Sequence, residues 1–176
     1  MSALSKHRAE VEFFREHPGE AFDEQAQVEF QIEHWLDILD ELKPLILEHW
    51  SELKEDVDIP LNFDWDRYAQ LDQLGKLHVV TARINGWLIG YDTGVLLDDH
   101  LHHKGTLVCC TDITWMRPEY RKGMTGYKMM KFFRDTLIAR GVKKIFFACT
   151  TKRNIDVLFR RLGYKQRFVN YTLVLP

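Results

Sequence analysis

Residues 115–126 read WMRPEYRKGMTG, and they join two kinds of pattern. Before them runs an apolar, β-branched stretch that reads as a strand, which Pro118 stops. After them, Met130, Phe133 and Leu137 recur at helical spacing until Gly141. A strand, a Pro-led turn and a basic loop with glycines thus open a helix. The first helical turn has backbone N–H groups without intrahelical partners, and the helix dipole favours negative charge there. Gly123 and Gly126 let a backbone approach a ligand closely, and Arg121 and Lys122 add positive charge. The stretch is therefore an anion site, and a pyrophosphate is the ligand that suits it.

The elements on either side follow from period and punctuation. Residues 2–16 have helix-forming composition, closed by Pro18-Gly19. Residues 28–33 alternate apolar and polar as a half-buried strand. From Trp35 to Lys54 the period is helical, and Pro44 is expected to kink or split that helix. Asp64 caps a short helix that Gly75 closes. Strands over 78–84 and 87–95 flank Asn85-Gly86, a pair suited to a type I′ turn because both of its central positions need positive φ. A His-rich loop leads to a strand over 106–116, the helix over 126–140, and a buried strand over 142–149. Asn154 is expected to cap a helix with apolar residues at 155, 158, 159 and 162, closed by Gly163, before a last strand over 167–175. Strands and helices alternating around one sheet make a mixed α/β domain.

The chain's 176 residues and 20.9 kDa fit one domain with a core that needs no disulfide or metal. Its three cysteines are odd in number and lack CxxC spacing, which argues against a disulfide framework and a structural zinc site. No apolar run reaches the roughly 18 residues of a membrane span, and the first residues lack a signal-peptide pattern, so a reducing cytoplasm is the expected setting. The net charge of −2 hides a split. Residues 1–70 hold 18 acids and 6 bases, whereas residues 113–176 hold 3 acids and 15 bases. The acidic part suits a cationic partner and the basic part a phosphate-bearing one.

The order of elements, with MRPEYRKGMTGYKMMKFF and NIDVLFRRLGYK, resembles the GNAT family of N-acetyltransferases over about residues 27–175. LILEHWSELK, GKLHVVTARINGWLIGY and the HLHHKG loop look like members encoded by tailed bacteriophages, which would make a host cytoplasm the setting. The resemblance implies an α+β fold: a mixed, mostly antiparallel twisted sheet flanked by helices, residues 27–176 forming the acetyltransferase domain and residues 1–20 an extra N-terminal helical extension. It also implies acetyl-CoA as co-substrate, with no metal. In the family's loop pattern, Arg/Gln-x-x-Gly-x-Gly/Ala, Arg121 takes the first position, Met124 the middle glycine and Gly126 the last. The pantetheine arm would then run along Thr114, Trp115 and Met116. The pyrophosphate would sit on the amides of Lys122, Gly123, Met124, Thr125, Gly126 and Tyr127.

Acetyl transfer needs an acceptor for the ammonium proton. The family often uses a fourth-strand carboxylate, and Asp112 is the candidate, on one face with Thr114 and Met116 by strict alternation. The family's tyrosine proton donor to CoA falls at Phe159, which has no proton to give, and Asn154 lies two residues off the family's spacing. His100, His102 and His103 lack further ligands nearby for a metal set, and Cys149 as a nucleophile would require a ping-pong route. The acceptor side, residues 33–66, holds eleven carboxylates and suggests an acidic mouth for a primary amine on a small molecule or a protein, with His34 and His49 as candidate walls and Trp35 and Trp50, which lie on the apolar stripe, read as core ahead of a wall role. A homodimer is admitted as an assembly, and neither a nucleic acid nor a membrane is expected as partner. The alternative function is a catalytically idle GNAT fold that binds CoA or a partner protein.

Overall fold

The computed structural model describes residues 27–53, 61–149, 155–169 and 173. The helix expected over 2–16, Asn154, and most of the strand expected over 167–175 lie outside these; residues 167–169 and 173 are not strand.

Among the described residues, five strands form one sheet in chain order: β1 (Glu29–Ile32), β2 (Leu77–Ile84), β3 (Trp87–Leu97), β4 (Val108–Met116) and β5 (Lys144–Phe146). The first three pairings are antiparallel and β4 with β5 is parallel. The β2–β3 turn has Asn85 at φ 50° and Gly86 at φ 84°, both in the left-handed region a type I′ hairpin requires. Helices α1 (Leu39–Leu53) and α2 (Trp65–Gln73) precede β2, α3 (Thr125–Ala139) joins β4 to β5, and α4 (Asp156–Arg161) follows β5.

Both faces of the sheet are covered, so β2 is buried at every position although its sequence, LHVVTARI, is not uniformly apolar. On one face α3 packs Phe133 and Leu137 against Val80, Ala82, Ile89 and Cys109. On the other, Leu42 and Ile46 of α1 join Trp35 against Val79, Leu88, Tyr91 and Trp115. Trp35 is wholly buried, a core residue and not a wall of an acceptor mouth.

Three expectations are corrected. Pro44 does not split α1, which runs unbroken through it. The proline sits early in the helix and removes a single ladder bond, while Leu42, Leu45, Ile46 and His49 bury the face that holds the helix to the sheet. The strand expected over 142–149 is only three residues long and half-exposed, because β5 leaves β4 after Phe146. The N-cap position of α4 is Ile155, with no side-chain cap bond, where a polar cap was expected.

Several polar groups inside the fold are paired within the chain. Arg83 of β2 is 9% exposed and grips Glu33 through Nε (2.9 Å) and Glu41 through Nη1 (2.8 Å), and also donates to the Gly86 carbonyl (2.7 Å). One guanidinium thereby ties the chain after β1, the first turn of α1 and the hairpin. Asp64 accepts from the Arg67 N–H at 2.9 Å and starts α2. At the other end Gly75 takes φ 66° while Gly75 and Lys76 N–H groups bond back to Asp72 and Leu71 carbonyls.

Arg83→Met should leave the Glu33 carboxylate without its cation and lower stability by roughly 3 kcal/mol. Urea denaturation checks this, and adding Glu33→Gln to the variant should recover part of the loss.

Candidate active site

Where β5 departs, the sheet opens. Pairing of β4 with β5 covers Val108–Lys144, Cys109–Ile145 and Cys110–Phe146 and goes no further, while β4 continues to Met116 alongside β3. The gap is a cavity of about 600 Å³. Asp112, Ile113, Thr114, Trp115 and Met116 form one wall, Phe147, Ala148 and Cys149 the other, and Gly126, Tyr127, Met129 and Met130 of α3 close the inner side. His49, Trp50 and Leu53 of α1 flank one mouth, and Leu158 and Arg161 of α4 the other.

The loop before α3 brings Arg121, Gly123, Met124, Gly126 and Tyr127 to the cavity wall; Lys122, Thr125 and Phe159 are not among its lining residues. Gly123 has φ 59°, the left-handed conformation that reverses the chain before Met124 at the N-cap position. Gly126 is the second residue of α3, and a Cβ added there would meet no atom within 4 Å, so a side chain would grow into open space at the cavity. First-turn amides of α3 therefore face the space where an anion would lie.

Arg121 is engaged from three sides. Its Nε donates to the Met116 carbonyl (2.6 Å), and Nη1 and Nη2 form a bidentate pair with Glu52 of α1 (2.7 and 2.6 Å). Glu52 also accepts from Trp115 Nε1 at 2.7 Å, and the guanidinium lies over the Trp115 ring, 5.6 Å from its centroid. Sequence spacing assigns Arg121 to the phosphates; in the fold it is a brace between α1 and the end of β4. Arg117 meets Glu48 in the same way at 3.2 Å. The acids of the N-terminal half are thus partly answered by cations of this chain: Glu33 and Glu41 by Arg83, Glu48 by Arg117, Glu52 by Arg121. Glu55, Asp56 and Asp58 lie outside the described residues.

Asp112 sits at a register shift. Gly94 pairs with Thr111 and Asp92 with Thr114, so Thr93 alone stands opposite both Asp112 and Ile113. The extra residue in β4 breaks strict alternation. Thr93 Oγ1 repairs the ladder by accepting from the Ile113 N–H (3.2 Å) and donating to its carbonyl (3.3 Å). Asp112 accordingly does not share a face with Thr114 in the simple sense: its Oδ2 accepts a hydrogen bond from the Tyr68 hydroxyl on α2, on the α1–α2 side of the sheet. Burial and the adjacent Asp112 carboxylate push the Tyr68 phenol well above its usual range, so it stays a donor. Beside it, Tyr91 and His49 Nδ1 are 2.9 Å apart, and the His49 ring stacks near Trp115 with centroids 5.9 Å apart. His34, by contrast, is exposed on the Asp72 side of α2 and is not among the cavity's lining residues.

Behind Thr114 lies a residue to which the sequence reading gave no role. Asp92 of β3 is wholly buried; its Oδ1 is 2.7 Å from Thr114 Oγ1, and its Oδ2 has no hydrogen-bond partner. Burial pushes this carboxyl up to about 8, opposed by the Thr114 bond. The signal was an acid within the largely apolar strand expected over 87–95. Tyr68, Phe147 and Arg161 were also missed, each brought in by packing between elements far apart in sequence.

Cys149 is exposed at the cavity, and partial burial raises its thiol, which makes it a poor thiolate nucleophile. His100 stacks on Phe146 (centroids 5.6 Å apart) and His103 accepts from Lys144 Nζ at 2.9 Å. Among the described residues no group of three or more His, Cys, Asp or Glu is arranged to hold a metal ion, and no helix is long and apolar enough to cross a membrane.

No protein-family model matches the chain, and no curated protein matches it. Solved structures do. The ribosomal-protein-alanine N-acetyltransferase of Brucella melitensis superposes with a TM-score of 0.65 at 17% identity, over 85% of this chain and 99% of that one. The aminoglycoside N-acetyltransferase AAC(6')-Iy in complex with CoA gives 0.62 at 12% identity, over 86% and 98%. A transcriptional regulator from Bacillus halodurans gives 0.65 at 13%, over 85% and 100%. The fold is that of the GNAT N-acetyltransferases.

Two outcomes test the geometry. Gly123→Ala should cost about 1–2 kcal/mol through left-handed strain, and Gly126→Ala should not; urea denaturation separates them. Asp92 gives a pH signature. Unfolded, its proton leaves near pH 4; folded, near pH 8, so in that window the native state holds more protons and stability falls as pH rises. Asp92→Asn should match wild type at pH 4 and exceed it at pH 9 by at least about 2–4 °C in Tm, the equivalent of about 1 kcal/mol in a chain this size.

Proposed function

We propose that the chain is an acetyl-CoA-dependent N-acetyltransferase that moves the acetyl group to a primary amine by direct attack on the thioester. The observation that carries this reading is the parting of β4 from β5 directly in front of the α3 N-terminus. Six residues of β4, from Thr111 to Met116, have no β5 neighbour, so apart from the Met116 carbonyl that Arg121 holds, backbone N–H and C=O groups on that side are open to an extended, amide-bearing ligand. The pantetheine arm of CoA is such a ligand, and it fits along Thr114–Met116. The pyrophosphate belongs at the first-turn amides of Gly126 and Tyr127, with residues 122–125 as the loop that shapes the turn. Arg121 supports this arrangement by holding Met116 and α1 together, and Arg161 is the cavity-lining cation suited to phosphate charge.

Chemistry requires an amine with its lone pair free. Asp112, at the cavity and held by Tyr68, is the residue suited to take the ammonium proton. The amine nitrogen then attacks the thioester carbon, the carbonyl oxygen gains charge, and the carbon–sulfur bond breaks. His49, Trp50 and Trp115 line the mouth on that side and suit the body of the acceptor. The acceptor is a small molecule or a protein amine. A phage origin and a host cytoplasm draw on the wording of the sequence alone.

A second reading is a GNAT fold that binds CoA or a protein partner without turnover. It draws on Phe159, which packs against Phe147 with centroids 4.7 Å apart and offers no proton, and on the structural likeness to a protein described as a transcriptional regulator. Binding of acetyl-CoA without thiol release over a broad panel of amines would favour it.

Acetyl-CoA should raise Tm in the wild type by ligand linkage, and Gly126→Val should remove that shift while leaving the ligand-free Tm nearly unchanged. Arg121→Glu should weaken acetyl-CoA binding by calorimetry and also lower the ligand-free Tm, because it sets two carboxylates face to face with Glu52. Asp112→Asn should reduce kcat by roughly 10²–10⁴-fold with acetyl-CoA affinity unchanged; full activity with an intact pH profile would remove Asp112 from the mechanism.

A further inference from the structure

Asp92 is the one wholly buried carboxylate among the described residues, and it stands directly behind a cavity wall. It lies in the central strand, where its register partner is Thr114. Thr114 lines the cavity in the part of β4 that β5 leaves uncovered. Oδ1 and Thr114 Oγ1 are 2.7 Å apart, and Oδ2 has no partner. A buried acid held by a single neutral hydroxyl is costly as a carboxylate and much less so as a carboxylic acid. In that form Asp92 donates to Thr114 Oγ1, and the Thr114 hydrogen is free to turn to the cavity.

We propose that Asp92 and Thr114 form the proton relay to the departing thiolate of CoA. The inference rests on the acetyltransferase reading. As the amine nitrogen bonds to the acetyl carbon and the carbon–sulfur electron pair leaves on sulfur, the Thr114 hydroxyl gives its proton to sulfur. Thr114 Oγ1 takes the Asp92 proton in return, leaving an Asp92 carboxylate. The ammonium proton goes separately to Asp112, and the second proton that the nitrogen loses as the amide forms passes to solvent in the cavity. Once CoA has left, water in the cavity returns a proton to Asp92 through Thr114. Phe159 cannot serve as donor, because its ring packs on Phe147 and Tyr164 and carries no acidic proton. The groups that share the field of Asp92 are the Cys109 thiol and the Tyr164 phenol, both raised by burial first and by Asp92 second. Arg134 and Asp135 act on Tyr164 from α3, and Cys110 and Arg140 act on Cys109.

The donor must be protonated, so kcat should fall as pH rises through about 8. Thr114→Val and Asp92→Asn should each lower kcat roughly 10²-fold, the low end of general-acid catalysis, since a thiolate is already a fair leaving group. Both should abolish the high-pH limb while the acetyl-CoA KM stays within about twofold, and Thr114→Ser should restore rate and limb together. A carbon-13 carboxyl titration of the ligand-free protein gives a readout without turnover: Asp92 titrates near 8, and Thr114→Val moves it higher by removing the bond that favours the carboxylate. The relay is overturned if Asp92 titrates near 4, if Thr114→Val keeps the limb, or if Tyr164→Phe alone removes it. A wild type that binds no acetyl-CoA overturns the acetyltransferase reading itself, and the relay with it, whereas turnover with an unaltered limb in Thr114→Val overturns the relay alone.

Discussion

After Cys110 and Phe146 two neighbouring strands stop sharing hydrogen bonds, and the cavity of the molecule is placed by that parting. A parallel pair normally continues until one strand ends. Here β4 runs on to Met116 with β3 still bonded along its other edge, so it does not follow β5 outward. The cavity is what remains between a strand that is anchored and one that leaves. The turn through Gly123 and the first turn of α3 line that gap.

Holding such a gap open requires bracing, and the charge distribution supplies it. Arg121 and Arg117, from the basic C-terminal part, reach Glu52 and Glu48 on α1, from the acidic N-terminal part. These pairs lie beside the cavity and join the two sides of the site. Where charge asymmetry along the chain suggests two external partners, the folded molecule uses part of it on itself. The Arg121 pair sits over the Trp115 ring and shares Glu52 with the indole N–H, so the wall of the cavity and the helix above it form one polar and aromatic unit.

Much of this was legible locally. Asn85-Gly86, Asp64, Gly75, Gly141 and the helical period after Gly126 each fix a short-range conformation, and each appears where its chemistry demands. Pro44 misled because its single lost bond weighs less than the face α1 buries. The length of β5 was not legible, since the apolar run 142–149 is equally good for pairing and for lining a cavity, and only the path of β4 decides between them. The register shift at Asp112 was invisible for the same reason: alternation is a property of one strand, and a bulge is a property of two. The loop before α3 stands out in the sequence by its glycines and cations, but the brace that Arg121 makes between α1 and the end of β4 belongs to the tertiary structure. Asp92 could have been suspected from an acid within IGYDTGV, but its bond to Thr114 belongs to the pairing of β3 with β4.

The unpaired side of β4 has a consequence for the empty protein. A row of backbone donors and acceptors without a neighbouring strand is a template for any extended chain, including a segment of another molecule. In most sheets that hazard is met at the rim by charge, proline or brevity. Here it lies inside a sheet, at an interior strand, and the devices that protect rims are missing from Ile113 to Met116, where the sequence is apolar and β-branched or aromatic. Phe147 and Met130 line the cavity beside this stretch. An extended ligand bound along that side would complete the ladder and cover the template.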